Sequence, residues 1–139
     1  MADWIEFSEA YVLAALPSDV RTAYDAWLTA NPGKAGRLET IAGQVLSDFR
    51  SGLSANPNVA VDPDPALLHV RCVPHAQTVV VYHLTLEMGL PINTSAQTAF
   101  NNAQVYLRRL YTSDEVLDAE VSRTPSYVTG VERPERMIG

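Results

Sequence analysis

ALLHVRCVPHAQTVVVYHLTLEM, residues 66–88, is apolar nearly all the way round, and its reading decides the fold. Leu67, Leu68, Val70, Val73, Ala76, Val79, Val80, Val81, Leu84 and Leu86 leave no wet stripe. A helix without a polar face normally runs through the centre of its domain. Val79-Val80-Val81-Tyr82 has strand character, yet the segment is too long for one strand and Gly89 offers a C-cap. Asp64-Pro65 can open a helix, because proline is tolerated at the first helical position. The sequence therefore predicts one long central helix over 66–88. Pro74 lies inside it, where it removes a backbone hydrogen bond and crowds the preceding turn, so a kink or break is expected there.

Working outward, helical periodicity dominates on both sides. Upstream, 34–53 places Leu38, Ile41, Ala42, Val45, Leu46, Phe49 and Leu53 within an arc of about 140°. Arg37, Glu39, Gln44, Ser47 and Arg50 occupy its other face, as on a two-sided helix lying against a core. Before it, 7–16 is a short helix with Ser8 placed to cap it and Pro17 to stop it. Ser18 can cap a second, in which Val20, Ala23, Tyr24, Trp27 and Leu28 share one face that should be buried, before Asn31-Pro32-Gly33 breaks it. Residues 54–65 hold three prolines and read as a loop. Downstream, Thr94 or Ser95 caps a fifth helix whose Ala96, Ala99, Phe100, Ala103, Tyr106, Leu107, Leu110 and Tyr111 share a face. After a turn at 114–118, periodicity ends, and Pro125, Gly130 and Pro134 make 119–139 an extended arm. The expected fold is all-α: a small helical bundle over 1–118 with a long central apolar helix, followed by that arm.

A chain of 139 residues fits one domain. At 47% hydrophobic and 19% charged, it has the apolar material for a core. Its net charge is −6, and its ten Lys and Arg are scattered singly apart from Arg108-Arg109. That surface lacks the cationic footprint of stable nucleic-acid binding by a monomer, although a polyanion can pass it without sticking. No run of eighteen apolar residues spans a membrane, and the acidic start MADWIEFSEA has no positive n-region, so the expected site of synthesis is a cytosol. Cys72 is the only cysteine, which fits a reducing compartment. With no secretory route expected, Asn93-Thr94-Ser95 matches the glycosylation pattern by chance.

Candidate chemistry is sparse. His69, Cys72 and His75 are three residues apart, but on a helix the outer two diverge by about 120° and no second Cys/His cluster completes a zinc site. His83 and Glu87 share a face at i, i+4 and could act as an acid-base pair, although ordinary helix-surface pairs have the same spacing. Asp114, Glu115, Asp118 and Glu120 lack the ligand alternation and glycine of a calcium loop. Gly33-Lys34 has no phosphate-loop context, and no hydrolase, metalloprotease or dinucleotide motif occurs. Neither catalytic residues nor a metal or cofactor site is expected. Trp4, Tyr11, Tyr24, Trp27, Tyr106 and Tyr111 read as core, whereas Tyr127 lies on the arm with no local core to enter.

The order of segments also carries a resemblance. LETIAGQVLSDFRSGL (38–53), a proline-bearing loop, DPALLHVRCVPHAQTVVVYHLTLEMGL (64–90) and SAQTAFNNAQVYLRRL (95–110), followed by a polar tail, resemble the small head-tail connector or adaptor proteins of tailed phages and prophages. Pro65, Leu68, Ala76, Tyr82, Leu84, Leu107 and Leu110 occupy comparable places. The chain departs from the pattern at Pro74 and in lacking the basic residues that often flank the loop. The resemblance implies a virion neck protein made in the bacterial host cytoplasm. It also implies a ring of identical subunits, in the family commonly twelve, between the portal protein and the tail or next neck component, with DNA passing through the lumen. The arm, through Arg123, Tyr127, Val128, Val131, Arg133, Arg136, Met137 and Ile138, is then the expected partner-gripping segment. Two rival readings remain at this point: a small cytosolic helical interaction module or accessory subunit, and a small enzyme using His75, His83 or Glu87.

Overall fold

The computed structural model describes residues 3–112. The turn at 114–118 and the arm at 119–139, with Arg123, Tyr127, Val128, Val131, Arg133, Arg136, Met137 and Ile138, lie outside the described residues.

Helices dominate. Helix α1 (Glu9–Ala15) starts where the Ser8 hydroxyl accepts the Tyr11 N–H at 3.3 Å, and Pro17 follows its end. This is the expected cap and stop. Helix α2 (Ser18–Ala30) begins directly after Pro17, with no side-chain cap at its N-terminus. It ends at Asn31, which donates to the Trp27 carbonyl through both its backbone N–H (2.8 Å) and its side-chain amide (3.0 Å). A single 3-10 turn, Pro32–Lys34, leads to α3 (Arg37–Ala55). The apolar arc of α3 is its inner face, since Leu38, Ile41, Ala42, Val45, Phe49 and Leu53 are all buried.

The long central helix over 66–88 is not what forms. Leu67–His69 is instead a short strand, β2, and it pairs antiparallel with β1 (Trp4–Glu6) in the register Trp4↔His69, Ile5↔Leu68, Glu6↔Leu67. Further bonds extend the ladder, from Phe7 N–H to the Ala66 carbonyl (3.0 Å) and from Val70 N–H to the Asp3 carbonyl (2.8 Å). Helix α4 then runs only from Val73 to Glu87. Pro74 neither kinks nor interrupts it, because it sits in the first turn, where its missing N–H has no intrahelical acceptor to lose. Asp64-Pro65 opens no helix: the Asp64 carboxylate accepts the Ala66 N–H at 3.0 Å in a side-chain-mediated turn. The fold is therefore mostly helical, consistent with the expected all-α bundle, with one short two-stranded ribbon and no long apolar helix among the described residues.

Gly89, at φ +73, closes α4 in a left-handed conformation that a side chain strains, and Leu90 N–H returns to the Thr85 carbonyl at 3.1 Å. Helix α5 (Thr94–Tyr111) is capped by Asn93, one residue earlier than expected, whose side chain accepts the Ala96 N–H at 2.7 Å. Helices α3, α4 and α5 pack on one another around the fully buried Leu38, Phe49, Leu53, Val80, Leu84 and Leu110. Each such side chain contributes about 1.5–3 kcal/mol by leaving water. Gly52 lets α3 approach α5 closely, since a Cβ there would lie 3.1 Å from the Leu110 Cβ.

Arg50 ties the loop and ribbon to this core. Its guanidinium donates to the carbonyls of Leu67 and Asp62 and lies 5.8 Å from the centre of the Trp4 ring. The residue expected on the wet face of α3 thus satisfies two carbonyls of the incoming chain.

Candidate functional site

His69, Cys72 and His75 do not share a helix. His69 lies buried on β2, packs edge-on against Trp4 and accepts the Arg71 N–H on Nδ1 at 3.1 Å. Cys72 is the buried N-cap residue of α4, with its Sγ 3.9 Å from the Tyr106 hydroxyl. His75, in the first turn of α4, stacks on the Tyr106 ring at 4.0 Å between centroids. These contacts spend His69 on joining β1 to β2, and Cys72 and His75 on joining the start of α4 to α5. Among the described residues no group of three His, Cys, Asp or Glu is arranged to hold a metal ion.

His83 and Glu87 are both on α4, but Glu87 is turned to α3. Arg37 grips its carboxylate with two hydrogen bonds of 3.2 Å, and the Lys34 ammonium stands 3.9 Å away. His83 is exposed and meets the rings of Tyr82 and Phe100 edge-on. His75 lies two turns away, about 12 Å along the helix, so the three residues form no common site. Between α3 and α4, a shallow cleft of about 470 Å³ is walled by Arg37, Gln44, Asp48, His83, Leu86 and Glu87. Leu86 is half exposed there.

The larger concavity lies on the other side of α4. It is an apolar groove of about 610 Å³ between α2, α4 and the start of α5. Val20 and Ala23 of α2, Val81 and Met88 of α4, and Ala96 and Ala99 of α5 form its walls. Leu90 at its rim is 40% exposed. The apolar face of α2 was expected to be buried, but only Tyr24 is; Val20, Ala23, Trp27 and Leu28 are partly covered. The alanines of α5 divide likewise. Ala103 is buried against neighbours, whereas Ala96 and Ala99 face the groove and are exposed. Gln77, also in the wall, donates to the Val12 carbonyl at 3.3 Å, while its Oε1 is buried with no hydrogen-bond partner among the described residues.

At 100° per residue, the α4 residues facing the groove (Val81, Thr85, Met88) and those facing the cleft (His83, Leu86, Glu87) lie on roughly opposite sides of the helix. The molecule thus presents two different open faces. Sequence reasoning missed both, because each is built from elements distant in the chain. The signal that could have found the groove is the excess of apolar faces over the partners available to cover them.

Among the described tyrosines, Tyr24 and Tyr111 stand at the two extremes of exposure. Tyr24 is buried, and its phenol is held above the ordinary tyrosine range first by that burial and then by the Glu9 and Asp25 carboxylates, against the lowering effect of Arg21. Tyr111 is half exposed, with its hydroxyl donating to the Asp48 carbonyl at 3.2 Å.

Among the described residues, no helix is long and apolar enough to cross a membrane. No family model, curated protein or solved structure matches this chain.

Proposed function

We propose that this protein is a structural head-tail connector subunit, a neck component of a phage-type virion that assembles into a ring under the portal protein. The observation that carries the reading is the pair of unlike, partly apolar faces on opposite sides of α4. A closed ring needs two different complementary surfaces per subunit, one meeting the other of the next copy, whereas an isologous dimer needs only one. Leu86 and Leu90, at 50% and 40% exposure, stand on the cleft side and the groove side respectively. Exposed large apolar groups gathered around concavities are what an assembling surface leaves open before its partner arrives.

The segment resemblance set out above supports the same reading, with the shorter α4 in place of the long helix. In this proposal the 119–139 segment grips the portal or the next neck component through Tyr127, Val128, Val131, Met137 and Ile138, with Arg123, Arg133 and Arg136 giving orientation. DNA passes through the lumen of a ring whose subunits carry net negative charge and do not hold it.

The test is assembly. Mixed with its portal, the full chain should form a closed ring on that portal, visible by negative-stain imaging, and a chain ending at Asp118 should fail to join. A truncated chain that completes the neck like the parent removes the gripping role of the segment.

A further inference from the structure

We infer that the groove between α2, α4 and α5 is the docking site of the chain's own C-terminal segment, which covers this face in the lone subunit. The groove needs an occupant of particular chemistry. Its walls are apolar at Val20, Ala23, Val81, Met88, Ala96 and Ala99, and its rim carries the Asp19 carboxylate. A peptide fits, because its apolar side chains fill the walls. The 119–139 segment has that composition, with Tyr127, Val128 and Val131 clustered and Arg123 and Arg133 on either side to meet Asp19.

Reach decides between this chain and a second copy. The described chain stops at Thr112, just past the end of α5, and the groove takes in Ala96 and Ala99 near that helix's start. The return distance along α5 is about 18–23 Å. Residues 113–127 can span about 50 Å when extended, so Tyr127 reaches the groove with slack. Tethering at this distance gives an effective concentration on the order of millimolar, above that of any second copy in dilute solution. The inference does not rest on the connector reading, because it concerns the monomer.

The test is a spin label at Ser126→Cys in the full chain, with Cys72 left in place because it is fully buried. Paramagnetic broadening should strike the backbone amides of Val20, Ala23, Val81 and Ala96, and be unchanged on tenfold dilution. It should not pass to isotope-labelled chains mixed with unlabelled spin-carrying ones. Ala96→Glu and Ala99→Glu, at exposed helical positions where glutamate is well tolerated, should abolish it by placing charge in the groove. Unaffected groove amides overturn the inference, as does broadening that appears only between chains, or broadening that survives both glutamates.

Discussion

Leu84 is fully buried on α4, the helix that packs against both α3 and α5. Leu84→Asp should therefore unfold the protein, because an unpaired buried charge costs several kcal/mol out of a total stability of about 5–15 kcal/mol. Circular dichroism on heating checks this, and a variant that melts like the parent removes Leu84 from the core. Tyr24 supplies a pH-dependent contribution. Its phenol titrates above the ordinary range in the folded chain, so the stabilisation is fully present below the unfolded tyrosine value and is lost as pH rises through the folded one. Melting temperature should fall as pH rises past the ordinary tyrosine value of about 10 in the parent, and more gently in Tyr24→Phe. Equal slopes in the two proteins would contradict the assignment. By contrast, Arg37 and Glu87 are 43% and 25% exposed, and their pairing adds little to stability in solvent.

Helix α3 meets α5 at Gly52, where the glycine is required by the close approach of Leu110, Leu107 and Tyr111. Gly52→Leu should push the two helices apart at a cost of about 1–3 kcal/mol, read as a lower denaturant midpoint. A midpoint unchanged from the parent would mean that the contact yields freely. At this scale the sequence was readable in part. Helices α1, α2, α3 and α5 follow from apolar spacing, caps and breakers that act locally, so each appears within a few residues of its expected bounds. The ribbon was not readable, because three residues are too few to display a period and the partner of Leu67–His69 lies at Trp4–Glu6, more than sixty positions away. Leu67 and Leu68 therefore extended the apolar run of α4 backward. Pro74 held the correction: the tolerance for proline in a first helical turn, applied to Pro65, belonged to Pro74, and a helix starting at Val73 satisfies it.

For the whole molecule, three packed helices form the core while α2 and the start of α5 leave apolar residues in an open groove. No single segment encodes that groove, since its walls come from α2, α4 and α5, and its existence depends on how α2 is placed against the others. The candidate metal and acid-base residues were legible as residue types, but not in their surroundings: Tyr106 meets His75, Trp4 meets His69 and Arg37 meets Glu87 only in the fold. The function proposed for the molecule is that copies of it close into a ring. Native mass measurement of the full chain across rising concentration tests this most directly. The account predicts a discrete closed oligomer of one large size, near twelve copies, growing at the expense of monomer without a ladder of intermediates. A chain that remains monomeric, or that stops at a dimer, at every concentration would contradict it.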